Sequence, residues 1–347
     1  MKLSIGDNKI DGKRCFIIGE IGQAHDGSLG MAHAYIDAIA EAGADAVKFQ
    51  THIAEAESSP QEPWRIKFSQ QDASRFDYWK RMEFTLNQWI GLKEHVESKG
   101  LIFLSSPFSL EAVELLNNIG MVAWKVASGE ISSLLLLEKI IQTQKPILIS
   151  TGMSPLSEID RVVDKLRSRS CQFAVMQCSS FYPTTPDKLG LNLLNEYRAR
   201  YGCPVGLSDH SGTIFAGLAA ATIGMDILEV HVTFSREMFG PDVVASVTTT
   251  ELRQLIDGIR FIEQAKAFPI DKNAIANEFE ELRKIFSKSL FLALNLSVGT
   301  RLERNHLVAR KPGDGISPDL IDTVIGRQLL IDVKKGEMLT LEHLGPF

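Results

Sequence analysis

Along the first 270 residues, short apolar or β-branched runs alternate eight times with amphipathic segments, and no other feature restricts the fold as strongly. The runs cover residues 15–22, 45–52, 101–108, 123–130, 147–153, 173–180, 204–211 and 227–234, and each ends in polar residues. After the first, Leu29, Ala32, Ile36 and Ile39 recur at helical spacing, and Gly43 supplies a stop. Similar periodicity runs through 86–99, 110–118, 134–143, 157–167, 191–201, 214–223 and 250–267. This alternation predicts a closed (β/α)8 barrel of the TIM-barrel class. An open doubly wound sheet is the competing layout, but the usual GxGxxG after its first strand is missing. Residues 6–13 have the wrong spacing for a phosphate loop, with no Ser or Thr after the lysine.

One insertion breaks the rhythm. Residues 54–84 are rich in charge and aromatics, among them Trp64, Phe68, Phe76, Tyr78, Trp79 and Phe84. On the active face of a barrel such a loop is a lid, part of an interface, or a surface loop with its own small cluster. Past residue 267 the alternation ends, and a polar stretch leads into residues 288–347. There Gly299, Leu302, His306 and Leu307 recur at the same spacing as Gly336, Leu339, His343 and Leu344. The near-repeat predicts a small pseudo-symmetric β-rich module, with both histidines structural. The expected division is a catalytic barrel over 1–270, a linker over 271–287 and the small module over 288–347.

The charge balance, 37 Lys and Arg against 43 Asp and Glu, gives −6 and argues against nucleic-acid or anionic-membrane binding. No apolar run approaches the ~20 residues of a membrane span, and the first residues lack the apolar core of a signal peptide. Cys15, Cys171, Cys178 and Cys203 form no CxxC pair and read as reduced core thiols, so a cytoplasmic protein is expected.

In a (β/α)8 barrel the chemistry sits at the C-terminal ends of the strands. The runs end, in order, on Glu20; Lys48, Gln50 and His52; Ser105 and Ser106; Lys125, Ser128 and Glu130; Ser150 and Thr151; Gln177, Ser179 and Ser180; Ser208, Asp209 and His210; Glu229 and His231. Polar side chains at all eight ends would be costly in a core and imply a ligand. Two lysines with several hydroxyls suit a phosphorylated or carboxylated substrate, the plainer alternative being lysines that snorkel to solvent. His210 and His231 end adjacent runs, where they either hydrogen-bond in the barrel or share a borderline divalent ion such as Mn2+, Zn2+ or Fe2+. Glu20 and Glu130 are candidates for proton transfer or for binding sugar hydroxyls. His25, in the first loop, is either functional or shapes the turn before Gly27.

The segments Gly22-Gln-Ala-His-Asp-Gly27, Lys48-Phe-Gln-Thr-His52, Ser105-Ser-Pro-Phe108, Lys125-Val-Ala-Ser-Gly-Glu130, Ser150-Thr-Gly-Met153, Gly206-Leu-Ser-Asp-His210, Glu229-Val-His231 and Gly240-Pro-Asp242 resemble the sialic acid synthase family. Residues 288–347, with Lys311-Pro-Gly-Asp-Gly-Ile-Ser317, resemble its antifreeze-like (SAF) domain. The likeness implies condensation of phosphoenolpyruvate with an N-acetylmannosamine-type sugar to a nine-carbon 2-keto acid and phosphate. It further implies a domain-swapped homodimer and a divalent ion, Mn2+ first and Mg2+ or Co2+ as alternatives, on His210 and His231. Phosphoenolpyruvate would meet Lys48, Ser106, Lys125, Ser128, Ser150, Ser180 and Ser208. The sugar would meet Gln50, Glu130, Tyr182 and Asp242, together with Arg310 or Lys311 of the partner's small domain. Glu20 would handle protons near the ion. Where the family carries Lys-Arg-Pro this chain has Arg310-Lys311-Pro312, and a lysine does not reproduce a bidentate guanidinium contact. A legionaminic or pseudaminic acid synthase acting on a diacetamido-trideoxy sugar is the main alternative. Synthases of octulosonate or heptulosonate phosphate lack the tail, and a non-catalytic sugar- or ice-binding protein would not need the lysine and histidine rim.

Overall fold

The computed structural model describes residues 3–346, and its chain falls into two compact units, 1–267 and 268–347. The first begins with a hairpin, β1 (Leu3–Ile5) and β2 (Asn8–Ile10). Eight strands follow: β3 (Phe16–Gly22), β4 (Ala46–Thr51), β5 (Ile102–Pro107), β6 (Trp124–Val126), β7 (Ile147–Ser150), β8 (Phe173–Cys178), β9 (Val205–Asp209) and β10 (Ile227–Thr233). All pair in parallel in the order β5-β4-β3-β10-β9-β8-β7-β6. The barrel is nearly closed, with β5 beside β6 at a seam that lacks a hydrogen-bonded ladder.

The expected helices form, and several of their ends follow capping residues. Helix Leu29–Ala42 starts where Ser28 Oγ accepts from the Met31 N–H and stops at Gly43, whose φ of 90° is left-handed. Helix Leu86–Ser98 opens on a reciprocal box between Thr85 and Gln88. The remaining outer helices are Leu110–Asn118, Leu134–Gln142, Leu156–Ser168, Asn192–Tyr201, Phe215–Ile223 and Thr249–Ala267.

The period of two along each strand sorts the buried residues into two cores. Ile17, Val47, Phe103, Trp124, Ile149, Val175, Leu207 and Leu228 face the helices in one large cluster. Phe16, Ile18, Ala46, Leu104, Ala123, Leu148, Ala174, Met176 and Ile227 form a separate cluster inside the barrel. Leu3, Ile5 and Ile10 of the hairpin join that inner cluster, so β1 and β2 plug the end where the strands begin. Further along seven of the eight strands the same parity turns polar, with Glu20, Lys48, Ser106, Lys125, Ser150, Ser208, Glu229 and His231 all buried, while β8 carries Cys178 there.

The polar ends depart from the expected strands. The fourth run keeps only Trp124–Val126 in the ladder, and residues 127–130 leave it in a turn. The insertion condenses into helices Ala54–Glu57 and Arg75–Met82, the second opened by a box between Ser74 and Asp77. The four cysteines are free and buried. Among the described residues no helix is long and apolar enough to cross a membrane.

In the second unit, helices Lys272–Glu278 and Glu280–Phe286 precede antiparallel strands Ser289–Leu292 and Leu307–Arg310. Its core holds Leu290, Leu292, Leu302, Ile316, Val324, Leu329, Val333, Leu339 and Leu344. The near-repeat is a structural device. His306 Nδ1 accepts the Glu303 N–H at 3.1 Å, and His343 Nδ1 accepts the Thr340 N–H at 3.4 Å, each closing an equivalent 3-10 turn.

Candidate functional site

At the C-terminal end of the barrel, the interior side chains enclose a small chamber of about 50 Å³. Glu20, Lys48, Lys125, Ser150, Ser208, His210, Glu229 and His231 are among its lining residues. It is a network of alternating charge. Lys48 Nζ donates to Glu20 and stands 3.7 Å from Glu229, whose other oxygen lies 3.2 Å from Lys125 Nζ. Lys125 Nζ also donates to Ser150 Oγ at 2.7 Å, and Ser150 and Ser208 hydroxyls lie 2.6 Å apart. Burial opposes ionisation of Glu20, but His231, Lys48 and Lys125 outweigh it and hold the carboxyl well below its ordinary range. Burial likewise opposes charge on Lys48, and the two carboxylates reverse the outcome and raise its pKa.

Three loops meet at Gly152, in the segment after β7. A Cβ there would lie 2.3 Å from Ser128 Cβ and 2.7 Å from both Ser128 Oγ and Ser180 Oγ. Only glycine lets these hydroxyls gather, and Ser180 Oγ is buried without a hydrogen-bond partner. Ser106 Oγ is another such orphan, and its residue pairs in register with Gln50. Neither Ser106 nor Ser180 lines a chamber, but Ser180 gathers beside Ser128, which does, and buried unpaired hydroxyls are donors lacking an acceptor.

His210 and His231 face each other with ring centroids 5.4 Å apart. His210 Nδ1–H donates to the Ser179 carbonyl at 2.7 Å, which leaves Nε2 to the Tyr182 hydroxyl at 3.0 Å. Burial, then the neighbouring His231, lowers the His210 pKa to about 3, so the ring is neutral at pH 7. His231 Nε2 is 3.5 Å from Glu20, and its Nδ1 is buried without a partner. Two imidazoles, one neutral and one with a free nitrogen, fit a divalent ion as donors. Among the described residues no group of three or more His, Cys, Asp or Glu side chains is arranged to hold one, so water and substrate would complete the coordination.

Above this chamber opens a larger one of about 560 Å³, and the two share Gln50, Ala127, Ser128 and Tyr182. Glu130 and Asp242 line the outer one, and burial raises the pKa of both carboxyls. The insertion supplies a wall: Trp64, Phe68, Tyr78 and Trp79, with Phe108 opposite, belong to the lining. The 54–84 segment therefore builds the site and does not form an isolated surface cluster. Arg65, also from it, sits 4.7 Å from the Tyr182 ring centroid.

The structure thus brings Glu20, Lys48, Gln50, Lys125, Ser128, Ser150, Tyr182, Ser208, His210 and His231 to one inner chamber, with Glu130 and Asp242 above it. Arg310 and Lys311 belong to the second unit, where both are exposed and Lys311 Nζ lies 4.8 Å from the Phe286 ring centroid. His25 is a turn and core residue: its Nδ1 accepts the Gly27 N–H at 3.1 Å, and its ring packs on Phe84 at 4.7 Å. Glu229 closes a strand end in the sequence but received no role there. Its place between two lysines depends on strand neighbours far apart in the chain. Of the other residues lining the outer chamber, His52 ends its run in the sequence without an assigned role, Gln23 lies in the first loop, and Glu57 and Arg65 have no signal beyond lying on the long insertion.

Comparison with known proteins accounts for both units. The NeuB family matches residues 35–270, and the SAF domain matches residues 287–345. The N,N'-diacetyllegionaminic acid synthase of Campylobacter jejuni is 32% identical over 94% of this chain and 99% of its own. The human N-acetylneuraminate-9-phosphate synthase is 30% identical over 94% of this chain and 92% of its own. Among solved structures, the N-acetylneuraminic acid synthetase of Leptospira borgpetersenii superposes with a TM-score of 0.71 at 28% identity, covering 82% of this chain and 96% of that one. The spore coat polysaccharide biosynthesis protein spsE of Bacillus subtilis gives 0.68 at 27% identity over the whole of both chains. With its barrel and its C-terminal module both matched in order, the chain belongs to the NeuB family.

Proposed function

We propose that this protein condenses phosphoenolpyruvate with N-acetylmannosamine or a closely related 2-acetamido sugar, forming a nine-carbon sialic-type acid and phosphate. The observation that carries this reading is the pair of connected chambers. The inner one offers ammonium groups and gathered hydroxyls to a small anion, and the outer one offers carboxylates and aromatic faces to a sugar.

Lys48 and Lys125 face the anionic oxygens of phosphoenolpyruvate, and Ser106, Ser128, Ser150, Ser180 and Ser208 add neutral donors. Gln50, Glu130, Tyr182 and Asp242 bind and orient the open-chain sugar so that its aldehyde carbon meets the phosphoenolpyruvate methylene. The C=C electrons of phosphoenolpyruvate form a new bond to the aldehyde carbon, the aldehyde C=O electrons move to its oxygen, which takes up a proton, and cationic character develops at the phosphate-bearing carbon. Glu20, held ionised by its neighbours, stabilises that charge and stands ready to take a proton from the water that adds there. The resulting tetrahedral carbon then expels phosphate. His210 and His231 would hold a divalent ion, Mn2+ first and Mg2+ or Co2+ as alternatives, whose chemistry is to polarise the aldehyde oxygen. By family likeness we also propose a cytoplasmic homodimer in which Arg310 or Lys311 reaches the partner's sugar; light scattering on the purified protein reads the dimer directly.

One observation favours a second acceptor class. The aromatic wall of Trp64, Phe68, Trp79 and Phe108 suits a diacetamido-trideoxy hexose, the acceptor of a legionaminic or pseudaminic acid synthase, because such a sugar carries more methyl surface. The test is phosphate release from phosphoenolpyruvate with each acceptor, followed by product mass. Release with one acceptor class and a product carrying three added carbons supports the reading, and no release with any acceptor refutes it.

A further inference from the structure

His52 follows β4 and is clamped between two aromatic faces. The Trp79 ring is stacked on it at 4.0 Å between centroids, and Phe108 is stacked on the other side at 4.4 Å. Its Nδ1 lies 2.6 Å from Glu57 Oε1, and its Nε2 lies 2.6 Å from Gln23 Nε2. Gln23 in turn donates to Gln50 Oε1 at 2.8 Å, and Gln50 Nε2 donates to Glu20 at 2.7 Å. A rigid chain of side chains thus runs from the insertion to the floor of the inner chamber.

Its outer end is incomplete. The Glu57 side chain is 8% exposed and lines the larger chamber. One carboxylate oxygen is held by His52, while Oε2 is buried and has no hydrogen-bond partner. A buried carboxylate oxygen is costly to leave unpaired, and a native fold keeps one where a ligand supplies the donor. Lysines of the inner chamber are already paired with Glu20 and Glu229, and Arg65 and Arg75, the insertion's cations that line the same chamber, are not bonded to Glu57. Aromatic surface lines the same chamber, because Trp79 and Phe108 flank the His52 ring that holds Glu57. An N-acyl group fits both features, its N–H to the carboxylate and its methyl to the Trp79 and Phe108 edges.

We propose that Glu57, held in place by His52, is a specificity-determining residue whose free oxygen accepts the acylamino N–H of the acceptor sugar. The inference rests on the synthase reading above and deepens it. Glu57 reads the substituent that separates an acylated amino sugar from a plain hexose, whereas Gln50 and Glu20 serve the reacting carbons.

The experiment measures kcat and KM for N-acetylmannosamine, 2,4-diacetamido-2,4,6-trideoxymannose and mannose with full-length wild type, Glu57→Gln, His52→Ala and His52→Asn. Phosphoenolpyruvate KM and the thermal midpoint are followed in parallel. In Glu57→Gln the side-chain amide turns a donor toward the substrate N–H. The acceptor KM of the amino sugar rises about tenfold or more, kcat and phosphoenolpyruvate KM stay within about twofold, and the preference over mannose shrinks. His52→Ala raises the same KM, and His52→Asn, which keeps a donor toward Glu57, restores part of it. An acceptor KM unchanged in Glu57→Gln overturns the proposal, as does a uniform loss of both KM values with a lowered midpoint, the mark of a structural role. If the wild type releases no phosphate with any acceptor, the synthase reading falls and this inference falls with it.

Discussion

At the residue scale, two positions have consequences that can be measured. Gly152 has a φ of 24°, and its missing side chain is what allows Ser128 and Ser180 to approach each other. In Gly152→Ala the new methyl meets Ser128 before any flexible atom, so the hydroxyl cradle must spread. Phosphoenolpyruvate KM is expected to rise by about tenfold or more while the acceptor KM changes little, in steady-state assays varying each substrate. His25 makes a different argument. Burial, with His52 and Arg81 adding to it, lowers its pKa to about 3 from the ordinary 6.5. Between those values the unfolded chain binds a proton that the folded protein refuses, so stability falls as pH drops from about 6.5 toward 3. The slope from this one residue is about 1.4 kcal/mol per pH unit. His25→Asn, which keeps an acceptor for the Gly27 N–H, removes that part of the slope. Urea unfolding at several pH values between 4.5 and 7.5 checks it, and parallel wild-type and variant curves would refute it. The candidate residues were legible because barrel topology assigns function to strand ends. Glu229 and Glu57 were not, because a carboxylate acquires meaning only from its neighbours: Lys48 and Lys125 come from different strands, and the Glu57 orphan appears only once Trp79 and Phe108 close around His52.

At the scale of elements, strands and helices could be read because each has a period and a punctuating residue. Gly43 ends its helix, and the turn Ala127-Ser-Gly-Glu130 ends β6 early so that Ser128 can approach Gly152. The opening hairpin escaped that reading because its strands are three residues each, too short to show alternation, although Leu3, Ile5 and Ile10 plug the barrel. The insertion stayed ambiguous for a related reason, since an aromatic cluster packs equally well on itself or around a ligand. Its anchoring settles how it is held. Arg81 donates to the Asp26 carbonyl and carboxylate at 2.9 and 2.7 Å and makes a two-pronged bond with Asp72 at 2.9 and 2.8 Å. It therefore ties the insertion to the first barrel loop. Lysine cannot span both carboxylates with that fork. Arg81→Lys is expected to raise the acceptor KM roughly threefold to tenfold and to leave phosphoenolpyruvate KM within about twofold. Equal changes in both constants would mean that the insertion supports the whole rim and not the outer chamber alone.

At the scale of the whole molecule, the net charge of −6 says little about the ligand, because the charges that decide binding lie inside the barrel. The strand-end pattern suggested a cationic rim, and the structure changes that picture. Lys48 and Lys125 are balanced by Glu20 and Glu229, two charges against two, and His210 is neutral at pH 7. The two lysines thus keep little unpaired positive charge, yet phosphoenolpyruvate would bring about two to three negative charges, one from its carboxylate and the rest from its phosphate. In a site this dry, excess charge is poorly screened, so binding requires a further positive charge. A divalent ion beside His210 and His231, as proposed above, would supply it. Phosphoenolpyruvate affinity, measured by calorimetry without any acceptor, is thus expected to weaken about tenfold or more in chelator and to return with Mn2+. Glu229→Gln removes one negative charge from the chamber and is expected to recover part of the affinity in chelator. Equal affinity with and without chelator would show that the two lysines and the hydroxyls suffice for phosphoenolpyruvate, and that an ion at the histidines has no part in holding it.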